Sequence, residues 1–580
     1  MLRFLFFLLI PIGIYAQRVR VGENQHENHT SSQAEAHDGG VTHDNHSHLE
    51  HILGYRKETV YVPNLPPPVL FKGIGEVNFK ISTKSAKTQQ YFNQGIALLH
   101  CFWDFEAYRA FKEAIKHDSL AIMPYYGLYS AIGAIEGDEF KPDQKLALAK
   151  IKQLKEKASD REKLYAEAII LRDDEKTGGK AAYQSKLELI IHKYPEDVDA
   201  QLFLALSKMA GYDTKLNPRE GQLYSEYLLK DILRNQPDNA AAHHYWIHLK
   251  ENCCPEDAFQ SAETLSRLAP NSGHMVHMPG HVYYKAGQYQ KAYESFIAAV
   301  KVDSAYMKDQ KIPEVDAWNY IHNINYLLSN CAEDGRYNTA LYYAEKLKNM
   351  PATKERKRKF EGRFFYQGVI APAKMELCFG FYQRAADKLA AIRLDKDSLF
   401  TNKAIAYKNA LFHFASGMAA IKANNIALAS QHSEALDAHL WRNLNQSATQ
   451  DQMNARRVSD LNVASLELQG VIQSAEGNYD AAIETLELAT QKEEDLGYSE
   501  PPTYARPVLI SLAEAHLKAG KFDKAEKTYQ QLLKKHPNSA NGIWGLCKVY
   551  KQKNDHHKLH EYKEKLNEVL KYGDKSLFPL

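Results

Sequence analysis

From Thr88 onward the apolar residues recur with a helical period, in paired segments joined by short polar turns. Two such pairs follow one another between Asn239 and Tyr306. In the second, Gly280, Tyr283, Ala292, Phe296 and Ala299 stand at positions 8, 11, 20, 24 and 27 of a unit. In the first, Leu249, Ala258, Ala262, Leu265 and Pro270 stand at positions 11, 20, 24, 27 and 32. Ala258 and Ala292 are 34 residues apart. Small residues at fixed positions let two helices cross closely, and the large ones between them fill the gap. The register returns at Gly95, Leu98, Ala107, Phe111 and Ala114, and again at Tyr337, Ala340, Ala344 and Leu347. It recurs at Gly470, Tyr479, Ala482, Leu486 and Ala489, and at Ala513, Gly520, Phe522, Ala525, Tyr529 and Leu532. Ser159-Asp160-Arg161-Glu162 predicts an N-capped helix running through Leu171, with a loop from Arg172 to Lys180. The stretch from Phe360 to Trp441 predicts helix but drifts out of register. Alternating Val/Ile-rich runs and paired turn signals are missing, so no sheet of any size is expected.

A 34-residue period with these small positions resembles the tetratricopeptide repeat (TPR). The resemblance implies an all-α fold, a TPR-like α-solenoid in which antiparallel helix pairs stack into a superhelix. That solenoid is expected over residues 86–567, with a C-terminal tail at 568–580. Each pair buries one face on the pair before it and one on the pair after it, so the chain lengthens without thickening its core. More specific phrases are Leu98-Leu99-His100, Phe102-Trp103, His244-Tyr245, Ile247-His248, His277-Met278-Pro279 followed by His281, and Glu500-Pro501-Pro502. Together they resemble a group of large bacterial TPR proteins carrying a His-Met-Pro-x-His phrase. No reaction is implied by that resemblance.

The chain before the repeats is different. Residues 1–16 read as a signal peptide, with Arg3 ahead of an apolar run from Phe4 to Ile14 and the small Ala16 at its end. The run is too short to span a bilayer, and no later stretch approaches ~20 apolar residues, so no transmembrane segment is expected. The protein is therefore expected to be exported, to a periplasm or beyond the cell. Residues 17–85 carry His26, His29, His37, His43, His46, His48 and His51 among polar residues, then Pro63, Pro66, Pro67 and Pro68. This composition predicts a disordered tail, which either scavenges divalent metal or is a plain solvated linker.

Charge excludes little but is informative. Lys plus Arg number 73 against 71 Asp plus Glu, a formal net charge of +2. Nothing there calls for a nucleic-acid partner. The one basic run, Lys354 to Lys359, fits an exposed helix start. Six cysteines make no dense disulfide framework. Cys253 and Cys254 are adjacent in a turn, where they either bond to each other or are simply small.

Histidines supply the candidate chemistry. His274, His277 and His281 fall at positions 2, 5 and 9 of their unit, a spacing of three then four that puts them on one helical stripe. In the TPR architecture such positions face the concave groove. Pro279 removes a helical hydrogen bond and leaves open whether the helix starts before His274 or near His277. His244 and His248 are an i,i+4 pair able to clasp one ion from a single face. His100 and His322 extend the groove stripe, while His243 and Tyr245 are further groove candidates beside the pair.

The expectation is one centre built by His244, His248, His277 and His281, with His274 and His100 at its rim. Nitrogen ligands, with Met275 and Met278 nearby, suit zinc or copper. A hydrogen-bonded Tyr–His network that only stiffens the groove is the structural alternative. Three functions follow. One is a protein that binds a protein, peptide or small-molecule ligand in the groove with a metal site in that surface. Another is a metal-dependent hydrolase or oxidoreductase, with Glu251 and Glu500 as the nearest acid/base groups. The third is a plain envelope scaffold. Phosphate loops, nucleophile elbows and HExxH phrases are absent from the sequence.

Overall fold

The computed structural model describes residue 62 and residues 64–580, apart from 136, 175, 177, 214, 215, 360, 361, 394–401, 448–451, 498, 500 and 501. The expected signal peptide, most of the His-rich tail and Glu500 lie outside the described residues. The described chain is all-α, an α-solenoid of consecutive helices with one isolated bridge between Tyr212 and Pro218.

The helices around the candidate site are α1 (Ala86–His100), α2 (Asp104–His117), α3 (Ala240–Lys250), α4 (Gly273–Lys285), α5 (Tyr289–Gln310) and α6 (Trp318–Asp334). Repeat register explains how they pack. Ala107, Ala258, Ala292, Ala340, Ala482 and Ala525 are all fully buried where helices cross. Where position 8 is glycine the packing requires it: a β-carbon on Gly280 would lie 2.4 Å from the Phe296 ring, and one on Gly95 equally close to Phe111, whereas the unit before Gly280 has Trp246 there. The core passes from one repeat to the next: one continuous apolar cluster runs from Ile74 to Met375, and three smaller ones carry it to Phe578.

Local signals act as their chemistry requires. Ser159 and Glu162 form a reciprocal capping box on the helix Asp160–Asp173. Asn239 caps α3 through Oδ1, which accepts the Ala242 amide at 2.9 Å. α4 starts at Gly273, capped by Ser272, so Pro279 sits inside the helix and His274 belongs to its first turn. Register is lost where residues Gly362–Val369 wind as π-helix.

Among the described residues, parts of both expected tails pack on the repeats. Residues 64–85 form no helix, yet Phe79 is only 2 % exposed and Ile74 is buried against the first repeat. Asn271 donates its backbone amide to the Gly73 carbonyl at 2.8 Å, and Phe71 stacks on Trp103 with ring centroids 5.5 Å apart. A few well-placed apolar side chains fix this strap despite its low average hydrophobicity. At the other end, the Asp574 amide bonds the Gly335 carbonyl at 2.8 Å and Trp544 Nε1 donates to the Pro579 carbonyl at 2.9 Å. The last repeat also meets the middle ones. Tyr289 donates to the Pro537 carbonyl at 2.7 Å, and His536 pairs with Glu333 at 2.8 Å. The C-terminal repeats thus buttress α5 and α6.

Candidate metal centre

The predicted histidines converge, but as two clusters rather than one. His244 and His248 sit one turn apart on α3, and His274 reaches them from the first turn of α4. His277 and His281 sit one turn apart on α4, and His322 joins them from α6. Within each trio, one ring nitrogen per residue lies within 4.8 Å of the others, and all six side chains are buried. The single centre expected from His244, His248, His277 and His281 is thereby split. The physical reason is direction: each i,i+4 pair closes on itself along its own helix axis and takes its third member from the next helix in the stack.

Hydrogen bonds fix the protonation of several rings. His244 Nδ1 donates to the His100 carbonyl at 2.6 Å. Glu251 takes one imidazole on each oxygen, His248 Nδ1 at 2.9 Å and His281 Nδ1 at 2.6 Å. A neutral imidazole carries one proton, so His244, His248 and His281 each present Nε2 as a lone pair. His244 Nε2 and His248 Nε2 then face each other across 3.0 Å, and His281 Nε2 faces His277 Nε2 across 2.5 Å. For His244 and His248, two lone pairs at that separation repel unless a cation lies between them, whereas His277, its Nδ1 unpartnered, can carry its proton on Nε2 and donate it to His281. Neither ring nitrogen of His274 has a hydrogen-bond partner, nor has His277 Nδ1. Burial, with the neighbouring imidazoles adding to it, holds the pKa of both His274 and His277 well below the usual 6.5.

Glu251 is the residue whose place was hardest to foresee. It was a candidate acid/base group, but it is fully buried between the clusters with an imidazole on each oxygen. Its spacing of three from His248 was the one sequence signal that it shares that helical face. Phe102 was also missed. It closes the first cluster, with its ring centroid 4.6 Å from His244, 5.4 Å from His248 and 5.6 Å from His274. It does so at φ +56°, a left-handed conformation that glycine normally fills after a helix. Tyr326 closes the second cluster, 4.2 Å from His281 and 5.2 Å from both His277 and His322.

Other candidates take different places. His100 does not join either trio: Nδ1 meets Tyr245 Oη at 2.9 Å and Nε2 meets Asp199 at 3.2 Å. Only its carbonyl serves the site. His243 turns away to Ser261 and the Pro237 carbonyl, because it is one residue round the helix from His244. Tyr245 is fully buried and braces His100 rather than lining a groove. His322, expected as a groove residue, completes the second trio. Met275 and Met278 belong to the apolar core. The positions expected to face an open groove are buried here, with Phe102 packed on the first trio and Tyr326 on the second. Cys253 and Cys254 are joined as a vicinal disulfide in the turn after Glu251.

Comparison with known proteins agrees with the repeat register. Residues 275–306 and 473–548 match the family described as Tetratricopeptide repeat, and the first match spans α4 and most of α5. No curated protein matches the chain. Among solved structures, the human IFIT1 dimer with m7Gppp-AAAA is similar at 13 % identity, over 85 % of this chain and 91 % of that one, with TM-score 0.30. Yeast Tom70 is similar at 12 % identity, over 84 % of this chain and 93 % of that one, with TM-score 0.28.

Proposed function

We propose that this tetratricopeptide-repeat chain is an exported metal-binding protein. It holds two ions of zinc or copper in its core, one on His244, His248 and His274 and one on His277, His281 and His322. The observation that carries the reading is the His244–His248 pair. Each ring has its Nδ1 proton committed to a fixed acceptor, which leaves the two Nε2 atoms unprotonated and facing each other at 3.0 Å in a buried setting. Imidazoles bound to one tetrahedral ion at ~2.0–2.1 Å place their nitrogens roughly 3.3 Å apart. The donor set fits zinc or copper, for which neutral imidazole is a common ligand. Each trio leaves a fourth position for another ligand. Glu251 supports the reading too, because metal-bound histidines characteristically donate their other N–H to a carboxylate or carbonyl. Here one carboxylate would orient a ligand of each ion.

The repeats form the frame and, as in other TPR proteins, offer surface for a protein partner. No helix among the described residues is long and apolar enough to cross a membrane.

Metal content per chain tests the reading, measured on the full chain and on two double variants, His244→Ala/His248→Ala and His277→Ala/His281→Ala. Each pair of substitutions should remove one equivalent and leave helicity intact by circular dichroism. Any metal on the His-rich N-terminal residues is common to all three proteins and cancels. Equal metal content in all three would sink the reading and favour a Glu251-centred network of shared protons.

A further inference from the structure

The two clusters differ in what lies beside them. A pocket opens against the first, with His274 in its wall together with Phe102, Trp103, Tyr306, Trp318 and Asn319. His277, His281 and His322 take no part in that wall. Trp318 sits at the junction, its ring centroid 5.8 Å from His274 and 5.9 Å from His322. Behind the second cluster, Tyr326 and Phe296 pack tilted against the imidazoles, with Phe296 5.0 Å from His277.

The pocket has a definite chemistry. Six aromatic side chains, among them Phe105 and Tyr320, make most of its wall apolar. One polar edge carries Asn319, whose amide nitrogen donates to Asp303 at 3.0 and 3.1 Å while its carbonyl oxygen is buried without a partner. Asp303 and Asp316 also line it, the latter paired with Arg356 at 3.3 Å. Its free space is about 40 Å³ for water-sized centres, against roughly 10–15 Å³ for one water, so only a molecule of a few heavy atoms fits.

We infer that the ion on His244, His248 and His274 exchanges ligands through this pocket and accepts a small, neutral, planar nitrogen-donor molecule of azole size, whereas the ion on His277, His281 and His322 is closed. The inference rests on the metal reading above. Each feature of the wall selects one feature of the ligand. The fourth metal position takes a lone pair, the aromatic faces take a flat apolar body, and the Asn319 carbonyl takes an N–H. Asp316 is paired with Arg356, so that edge of the wall adds no net positive charge that would favour an anion. Both trios leave a fourth position, but the first borders this pocket while Phe296 and Tyr326 pack over the second, so the asymmetry assigns exchange to the first cluster and support to the second.

Imidazole is the probe and azide the anionic counter-probe, titrated into the Cu(II)-loaded full-length protein while its visible absorption is recorded. Part of the imidazole response should vanish in His244→Ala/His248→Ala and persist in His277→Ala/His281→Ala, which separates it from copper elsewhere on the chain. Ala317→Trp, at the pocket wall, should keep both equivalents of copper but weaken that part of the response at least tenfold. Ala317→Leu, a gentler filling, should weaken it less and covers the case where the tryptophan variant fails to fold. If neither double variant loses copper, the metal reading itself fails. If copper binds but the response is lost with the second pair instead of the first, the assignment of the open ion is wrong. Unchanged imidazole binding in folded Ala317 variants overturns the pocket as the route. Azide binding as tightly as imidazole overturns the ligand class.

Discussion

Glu251 meets one imidazole of each cluster, so a single carboxylate would orient a ligand of both ions. Replacing it with glutamine keeps the shape and removes the charge. The amide has one carbonyl oxygen for one imidazole N–H, and its NH₂ confronts the other, donor against donor. One of the two metal positions should therefore lose its support while the other keeps an acceptor. Loss of such an outer partner typically costs ~10–100-fold in metal affinity, or about 1.4–2.8 kcal/mol. Glu251→Ala removes both acceptors, which are 2.9 and 2.6 Å from their imidazoles, and should weaken both positions by that factor. It also strands two buried N–H groups, costing the metal-free fold about 1–3 kcal/mol each. Competition against a chromophoric chelator at neutral pH should resolve an affinity for each trio in the wild-type chain. Glutamine should shift one of them and alanine both. Two unshifted affinities in both variants would refute the bridging role and with it the account of why the rings face each other.

Other consequences are simpler to state. His100→Ala should leave metal stoichiometry unchanged, since that residue serves the site through its backbone carbonyl; loss of an equivalent would restore it as a ligand. Gly280→Ala drives a β-carbon into the Phe296 ring and should lower stability by about 1–3 kcal/mol in thermal or denaturant melts, with Phe296→Leu recovering part of it. Phe102→Gly relieves a left-handed backbone worth about 1 kcal/mol but uncovers the first cluster. Metal release, followed by stopped-flow chelation, should quicken from one site only. Acid should weaken the metal-free fold. His274 and His277 have folded pKa values far below 6.5, so the unfolded chain takes up their protons first as pH falls. Their contribution is intact above pH 6.5 and is lost below it, by about 1.4 kcal/mol per histidine per pH unit. Urea midpoints that do not move between pH 7.5 and 5.5 would contradict the burial of these rings.

Sequence alone determined the all-α repeat architecture, because its cause is local and periodic. A small residue such as Ala292 or Gly280 is required wherever two helices cross, and the requirement recurs with each unit. Sequence also marked His244, His248, His277 and His281, since i,i+4 spacing on a helix places two side chains together whatever the rest of the chain does. Tertiary structure alone decided how those pairs were completed. His274 and His322 come from neighbouring helices, and which pair each joins depends on how α3, α4 and α6 lie against one another. The same holds for Glu251, whose carboxylate reaches His281, 30 residues away, only because α3 and α4 pack side by side. The exclusion of His100 was equally beyond the sequence, since Tyr245 and Asp199 hold its ring from distant repeats. Average composition failed at the two ends for a related reason. Phe79 and Phe578 anchor polar segments through a few buried aromatic contacts, and a contact between distant parts of the chain leaves no periodic trace in the sequence.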